Sequence, residues 1–368
     1  MPTFKADALV LGGGPGGSSV AIECARAGLR VVQVERERFP REHVGETLHP
    51  GVEPLLTQLG VWAEVRSANF LRHEGNWIEW AGAPRRFEAF GADDGGGAWQ
   101  GLQAWRADFD AILLERARAL GVRVLQPCQI VRPLLSGQRV VGLETASGDF
   151  LRAPFVVDAA GDRHWLARQL HLPIKKYSRR LTARYGYVEG ACEVRDDAPQ
   201  IVSDARGWTW TARVRPQLYQ WTRLSVAGEE DEDEGGASSS SHGDRDEKWL
   251  PAEFRGLKRR GASKGADVTW RMVERAAGAG YFLVGDAAAV LDPASSHGVL
   301  KAIMAGMMAA HSIANVFAHQ LTEQDAARRY CDWLRTWFEH DVVRLRELYT
   351  IFDAPPDERS HLEVAAKE

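Results

Sequence analysis

The first forty residues change their pattern of apolar positions in an order that predicts a strand, a helix and a second strand. Residues 8–11 are apolar at every position, as is typical of a strand buried on both faces of a sheet. A glycine-rich turn, a helix closed by Gly28 and a second strand from Val31 to Glu35 follow. This alternation predicts the start of a parallel α/β sheet.

The middle of the chain alternates apolar and polar positions, which predicts strands of an antiparallel sheet. The chain holds 13 tryptophans, and Trp208 and Trp210 fall two positions apart and therefore on one face of their strand. We interpret most of these indoles as core packing and a minority as the lining of an aromatic pocket for an indole or a phenol. The alternating segments are residues 76–80, 85–90, 181–190, 207–214 and 218–226.

The last third of the chain predicts two helices. An apolar helix is expected from Gly298 to about His319, and a second, amphipathic helix carries Phe338, Val342 and Leu345 on one face. We find no apolar run of the roughly 18 residues that a membrane span needs. A strand-like segment near Ala6 leaves no room for a signal peptide. These patterns predict a cytoplasmic protein without membrane contact.

Composition narrows the function classes. The chain has 368 residues, 45% of them hydrophobic, and a formal charge of -4, which fits a globular enzyme and gives no sign of nucleic-acid binding. Four cysteines form no CxxC pair, so neither a disulfide framework nor a metal site is indicated. Residues 228–248 are acidic and then serine-rich, and we expect a flexible loop there.

Candidate chemistry begins at the glycine turn, residues 12–17. Gly12, Gly14 and Gly17 form G-x-G-x-x-G between strand and helix, which allows a tight turn, close approach of a pyrophosphate and close helix packing. Glu35 and Arg36 end the second strand, where an acid can bind a ribose hydroxyl. The segment therefore predicts a dinucleotide site.

Four further segments then resemble the FAD-dependent monooxygenases of the aromatic hydroxylase type and their halogenase relatives. Both the order and the spacing of the segments match that group. The segments are "REHVGETLHP" with Arg41 and Glu46, "LQAWRADFDAILLERARALGV" with Arg106, "FVVDAAGDRHWLARQL" with Asp158 and Gly161, and "YFLVGDAAAVLDPASSHG" with Gly285, Asp286 and Pro293.

The resemblance implies FAD as cofactor and a role for each of these residues in binding it. In such proteins the helix after the GD motif points its N-terminus at the flavin, which here implies that Ser296, His297 and Gly298 face the ring. We take His297, Ser296 and His49 as candidate catalytic residues. Either histidine can instead be an ordinary turn residue. Likewise, Arg41 and Arg106 can be surface arginines, and Glu46 can cap the helix that follows.

The resemblance also implies the fold and the domains. We expect an α/β protein with a Rossmann-like, doubly wound, mostly parallel FAD-binding domain, interleaved with a smaller antiparallel β-sheet substrate domain and a C-terminal helical segment. The FAD-binding domain is predicted at residues 1–75, 100–175 and 268–320, and the substrate domain at 76–99 and 176–267. The C-terminal helix is predicted at 321–355.

Two departures from the halogenase pattern favour oxygen transfer. "GWTWTARV" resembles the tryptophan-x-tryptophan-x-isoleucine-proline motif of flavin-dependent halogenases, but Ala212 and Arg213 replace its last two residues. Those halogenases use a lysine after the GE loop, and this sequence has no lysine between Lys5 and Lys175. We therefore expect a monooxygenase that hydroxylates an aromatic ring through a flavin C4a-hydroperoxide, with halogenation as an alternative.

A closer likeness concerns the substrate. "VGETLHPGVEPLLTQLGV" and the Ser-Ser-His-Gly segment resemble LodB-like flavoproteins that mature tryptophylquinone enzymes, which implies a tryptophan in a precursor polypeptide partner. A small-molecule hydroxylase, a geranylgeranyl-reductase-like flavin reductase and a maturation chaperone without turnover remain alternatives. The resemblance implies that electrons come from NAD(P)H or a separate flavin reductase. No second G-x-G-x-x-G is present, so we expect no permanently bound nicotinamide.

Overall fold

The computed structural model describes residues 3–92, 96–225, 249–295 and 297–350. The predicted flexible loop at 228–248 and the candidate residue Ser296 lie outside these ranges. Within the ranges, the helices α1 to α7 span Pro15–Arg26, Val52–Leu59, Trp62–Ser67, Arg106–Ala119, Trp165–Gln169, Gly298–Phe317 and Glu323–Tyr349.

The strands are short and alternate with the helices only in part. In chain order, β1 to β12 span Thr3–Lys5, Ala8–Leu11, Val31–Val34, Thr47–Leu48, Leu71–His73, Gly75–Glu79, Arg86–Ala89, Gly101–Gln103, Arg123–Leu125, Ile130–Ser136, Arg139–Thr145 and Phe150–Arg152. In the same order, β13 to β24 span Phe155–Asp158, Ile174–Lys176, Thr182–Glu189, Gln200–Asp204, Gly207–Arg215, Leu218–Ser225, Lys258–Arg259, Lys264–Asp267, Arg271–Val273, Ala277–Gly278, Tyr281–Leu283 and Ala289–Val290.

The chain divides into two compact units. The first comprises residues 1–70, 104–175 and 271–341, and the second comprises 71–103, 176–270 and 342–368. The assignment of these units to FAD binding and to substrate binding remains a prediction.

The first unit is built on a six-stranded sheet in the order β22-β23-β13-β2-β3-β9. Its strands run parallel except β22, which pairs with β23 in the antiparallel direction. Strands β2, β3 and β13 are buried at every position, which explains why they are apolar except for Gln33 in β3 and Asp158 in β13. Because parallel strands end at one edge, the loops after β2, β13 and β23 meet there.

Helix α6 packs on helix α1 through glycines. A Cβ at Gly306 would lie 2.5 Å from the carbonyl oxygen of Gly16, so the two backbones touch where a side chain would not fit. By length and hydropathy alone α6 could cross a membrane, and the expectation that no segment has this length was wrong. The small residues that raise its hydropathy serve this close helix packing, because Ala305, Ala309 and Ala310 are buried.

The second unit contains an eight-stranded sheet in the order β19-β15-β18-β17-β16-β6-β7, with β20 added beside β15. Its strands pair in the antiparallel direction except at one place, where β16 pairs with β6 in the parallel direction. The chain from β6 to β16 is long enough for the crossover that a parallel pair needs.

Trp208 and Trp221 of this sheet pack as core residues, whereas Trp77 and Trp210 are half-buried. Trp208 and Trp210 share a face, as their spacing predicts, because they pair with Leu224 and Thr222 of the neighbouring strand. Trp208 is buried, and its indole nitrogen donates a 2.6 Å hydrogen bond to the Tyr349 hydroxyl in the last turn of α7. Trp221 belongs to a buried cluster of the same unit.

Candidate cofactor site

The glycine turn joins the end of β2 to the start of α1, and two of its glycines are required by backbone packing. Gly12 has a φ of +111°, and a Cβ there would lie 2.3 Å from the Ala159 carbonyl oxygen. A Cβ at Gly17 would lie 2.2 Å from the Gly12 carbonyl oxygen. At Gly14 the nearest atom to an added Cβ is Nη2 of Arg41, at 3.6 Å. Main-chain atoms therefore fill the space beside Gly12 and Gly17, whereas the space beside Gly14 is open.

Strand β3 supports this turn from the side. Glu35 is 5% exposed, and its carboxylate accepts hydrogen bonds from the backbone N–H of Gly13 at 2.7 Å and of Glu37 at 2.9 Å. Gln33, which the sequence pattern did not indicate, donates from its amide nitrogen to the Gly12 carbonyl at 3.0 Å. Each carboxylate oxygen of Glu35 keeps a second lone pair for a hydroxyl donor.

Arg36 lies apart from these contacts. Its guanidinium is 60% exposed and pairs with Glu37 at 3.3 Å. The predicted role of Arg36 in cofactor binding has no contact in the described chain to support it.

Two arginines and an aspartate form a cluster next to the open side of the turn, and we call Arg41, Arg106 and Asp110 the arginine cluster. Arg106 is buried and donates to both carboxylate oxygens of Asp110, at 2.8 and 3.0 Å, and to the Val44 carbonyl at 2.9 Å. Arg41 lies 3.7 Å from the same carboxylate. Neither arginine is a solvated surface residue, and Asp110 is the partner that sequence reasoning missed.

The arginine cluster carries one net positive charge beside the start of α1. A helix N-terminus and an arginine both favour phosphate oxygens. His43 lies in the same region, where burial and the charge of Arg106 lower its pKa to about 4. The imidazole keeps access to solvent although protein atoms surround it on most sides. It is neutral at pH 7 and adds no charge.

Glu46 lies near Arg106 of the arginine cluster. It is buried, accepts a hydrogen bond from the Gly45 N–H at 2.9 Å, and its charge acts on Arg106. The alternative that Glu46 caps the following helix was wrong, because α2 begins after Gly51 with no side-chain cap. A charge pair with Arg106 explains why a carboxylate is tolerated at this depth.

The loop after β13 is organised by Asp158. One of its carboxylate oxygens accepts from the Ala160 N–H at 2.9 Å and the other from the Leu166 N–H at 2.8 Å. Burial raises the pKa of Asp158 to about 6. Gly161 has a φ of +89° and open space where a Cβ would stand. Asp158 therefore shapes the loop, while Gly161 leaves its backbone accessible.

The GD loop, residues 285–288, follows β23 at the same sheet edge. The Asp286 side chain is accessible to solvent although it lies deep among protein atoms, as at the bottom of a hollow. Burial raises its pKa to about 6, the nearby charge of Asp162 adds to the rise, and Arg106 and Arg271 oppose it. An accessible carboxylate in such a place fits a ligand hydroxyl.

A histidine and an arginine that the sequence pattern did not indicate hold the GD loop. His164 is completely buried, with a φ of 48° in the left-handed region. Its Nδ1 lies 2.9 Å from the Ala287 carbonyl oxygen, and its Nε2 accepts a 2.8 Å hydrogen bond from Nε of Arg271. Arg271 also donates to the Asp162 carbonyl at 3.1 Å. The neutral imidazole of His164 thus links the loop after β13 to the GD loop.

The two candidate catalytic histidines meet in space although one lies near the start of the chain and the other in its last third. The ring centroids of His49 and His297 lie 5.2 Å apart with the rings edge to face. Nδ1 of His49 accepts a hydrogen bond from the Gly51 N–H at 3.0 Å, and burial lowers the pKa of His49. His297 immediately precedes α6, whose first residue, Gly298, is exposed. Pro293 starts the short 3-10 turn before it.

These residues fit a flavin dinucleotide. The open glycine at 14, the arginine cluster and the helix N-terminus match a pyrophosphate, and the carboxylates of Glu35 and Asp286 match hydroxyl groups. The fit rests on accessible backbone at Gly14, Gly161 and Gly298, where added Cβ atoms would meet little or nothing.

Comparisons with known proteins agree with this chemistry. A family model described as "FAD binding domain" matches residues 5–329. The chain belongs to the FAD binding domain family. The predicted cofactor, FAD, and the predicted flavoenzyme class are confirmed at the level of this family.

Halogenases are among the most similar members of the family. The tryptophan 2-halogenase of Chondromyces crocatus is 30% identical over 350 residues, which are 88% of this chain and 63% of that protein. The 1H-pyrrole-2-carbonyl-(peptidyl-carrier protein) chlorinase of Pseudomonas fluorescens is 28% identical over 408 residues, covering 97% of this chain and 87% of the relative. This chain therefore spans less than two thirds of the tryptophan 2-halogenase.

A solved structure confirms the fold class. The myxobacterial chondrochloren halogenase CndH superposes with a TM-score of 0.84 at 25% identity, covering 98% of this chain and 85% of CndH. The predicted mixed α/β fold, with parallel and antiparallel sheets and a C-terminal helical segment, is confirmed. The comparisons support the wider halogenase and monooxygenase resemblance, whereas the likeness to LodB-like flavoproteins rests on the sequence segments alone.

Proposed function

We propose that this chain is an FAD-dependent enzyme that halogenates an electron-rich aromatic ring. The observation that carries the proposal is the similarity to the tryptophan 2-halogenase and the pyrrole chlorinase along 88% and 97% of the chain. Both of those names describe halogenation of a nitrogen heterocycle. These relatives favour halogenation, the alternative in the sequence analysis, over aromatic hydroxylation.

The chain's own residues would position the cofactor and the substrate. FAD, when bound and reduced, supplies the activation of oxygen. The arginine cluster and the glycine turn would hold its pyrophosphate, and Asp286 its hydroxyl groups. His49 and His297 lie in contact before α6, where a proton can be held at a ring nitrogen. Electrons would come from a separate flavin reductase.

Aromatic hydroxylation is the second candidate, and one specific observation favours it. No lysine occurs between Lys5 and Lys175, whereas the resemblance to halogenases implies one after the GE loop. The partner-polypeptide hypothesis is a special case of hydroxylation in which the ring is a tryptophan side chain of a precursor protein.

One product analysis separates these functions. FAD-loaded protein would receive a flavin reductase with NADH, oxygen and bromide, together with indole, free tryptophan or a tryptophan-containing precursor polypeptide. High-resolution mass spectrometry would then identify the products. Bromine on any substrate supports halogenation. Oxygen on indole or free tryptophan supports the second candidate, and oxygen only on the polypeptide supports maturation of a protein tryptophan.

Two further results would count against both candidates. A reduced double bond in an added polyprenyl substrate would indicate the geranylgeranyl-reductase-like alternative. Reoxidation of FAD without any product would leave FAD with a structural role in a maturation protein. As a site control, His297→Ala is expected to lower product formation at least tenfold, while His319→Ala, on an exposed residue beyond the other end of α6, leaves it unchanged.

A further inference from the structure

A cavity of about 70 Å³ lies within the first unit, between the first turns of α6 and the middle of α7. This volume is several times the space that one water molecule needs. Its inner end is formed by residues of the GD loop and by Gly298, which belong to the candidate cofactor site. A molecule in the cavity would therefore lie beside that site.

Most of the cavity wall is apolar and aromatic. Met304 of α6 faces Trp333, Trp337 and Phe338 of α7 across it. Trp337 is 42% exposed, so a large indole ring stands at the mouth without full cover from the protein. Indole and phenyl rings pack well on flat aromatic ligands, and a methionine adapts its shape to them. The wall therefore matches a flat ring.

The polar part of the wall restricts the charge of such a ligand. Nζ of Lys301 forms an ion pair with the buried carboxylate of Asp341, so the two charges compensate each other. The carboxylate of Asp286, at the inner end, adds a negative charge. An anionic ligand would be repelled, whereas a neutral ring with an N–H donor can use an acceptor site of the Asp286 carboxylate that an FAD hydroxyl leaves free.

We propose that the cavity between α6 and α7 binds a neutral, electron-rich aromatic heterocycle with a ring N–H, of the indole or pyrrole class. That this ligand is the substrate of the enzyme rests on the proposed function. That it binds in the cavity does not, because binding needs neither reductant nor halide.

Equilibrium dialysis of the FAD-loaded full chain with indole, at pH 7.5 and without reductant or halide, tests the proposal. Indole is expected to bind, and indole-3-carboxylate to bind at least tenfold more weakly. Trp337→Ala is expected to weaken indole binding about tenfold. Trp99→Ala is the matched control, because Trp99 is also 42% exposed but belongs to the second unit and is not part of the cavity wall.

A second variant covers the case in which Trp337→Ala does not fold. Met304→Trp places a larger side chain into the cavity and is expected to abolish indole binding while FAD remains bound. Absence of indole binding to the unchanged protein, or equal binding to all the variants, would overturn the proposal. Product formation in the mass-spectrometric experiment is a separate readout, so the failure of this site and the failure of halogenation can be distinguished.

Discussion

The glycine turn and the GD loop both follow strands of the six-stranded sheet and end at one edge, yet different forces hold them. In the glycine turn, main-chain atoms touch, since the place for a Cβ at Gly12 or Gly17 is filled by a carbonyl oxygen. The GD loop is held by side chains from other segments, through His164 and Arg271.

This difference has consequences for the response to substitution. A main-chain contact allows no side chain at all, so the glycine turn is expected to tolerate no change at its packed positions. A hydrogen-bonded side-chain bridge depends on charge and protonation, so the GD loop is expected to respond to pH and to pairs of substitutions.

Gly12→Ala is expected to lower the free energy of unfolding by about 4 kcal/mol, because a strained φ and an overpacked contact add together. Gly28→Ala is the matched control, since Gly28 also has a positive φ, +81°, but no atom within 4 Å of an added Cβ. It should cost about 1 kcal/mol. Urea denaturation measures both. Equal losses would show that close packing does not distinguish the glycine turn.

His164→Leu is expected to cost about 2 kcal/mol, because it leaves Nε of Arg271 without its buried acceptor and the Ala287 carbonyl without its donor. The double variant His164→Leu/Arg271→Met should cost less than the sum of the single variants, since it removes both partners. A double-mutant cycle by chemical denaturation measures this coupling. Strictly additive losses would contradict the bridge.

Asp286→Asn is expected to raise the melting temperature of the FAD-free protein by a few degrees at pH 7.5 and to weaken FAD binding. The folded protein holds the Asp286 proton more tightly than the unfolded chain does, because burial raises its pKa to about 6. Ionisation therefore costs stability as the pH rises from about 4 to about 6, and the full cost remains above that pH.

The gain should accordingly be smaller at pH 5 than at pH 7.5, because the carboxyl group is then largely protonated in the folded protein. Differential scanning fluorimetry at the two pH values, with and without FAD, measures both effects. A gain of equal size at both pH values would mean that the ionised carboxylate is not the source of the cost.

Arg36→Ala should have the smallest effect, below about 0.5 kcal/mol in unfolding free energy, since exposed ion pairs contribute little. It should also leave FAD affinity unchanged, whereas Arg41→Ala, in the arginine cluster, should lower FAD affinity about tenfold. Fluorescence titration with FAD compares the two. A tenfold loss with Arg36→Ala would restore the sequence-based assignment of that residue to the cofactor.

The sequence was sufficient for those parts of the site whose function depends on local pattern. The glycine spacing, the acid at Glu35 and the GD motif each lie within one short segment, and their neighbours along the chain indicate their role. Gln33, His164 and Arg271 were missed because their partners lie in other segments, whereas Asp110 was missed although it lies four residues after Arg106 in α4, at the spacing of a helical ion pair. Nothing in the residues around Arg271 marks it as a member of a site.

By itself, the sequence determined that this protein folds as a mixed α/β protein with a dinucleotide turn after its first buried strand. Apolar periodicity and glycine spacing involve residues that are close in sequence. They therefore predict strands, helices and turns without knowledge of long-range contacts. Only the tertiary structure decided that Arg41 lies beside Asp110, that His164 bridges two loops, and that Met304 faces Trp337 across a cavity. Those contacts depend on which segments the sheet and the helix packing bring together, and side chains far apart in sequence acquire partners only then.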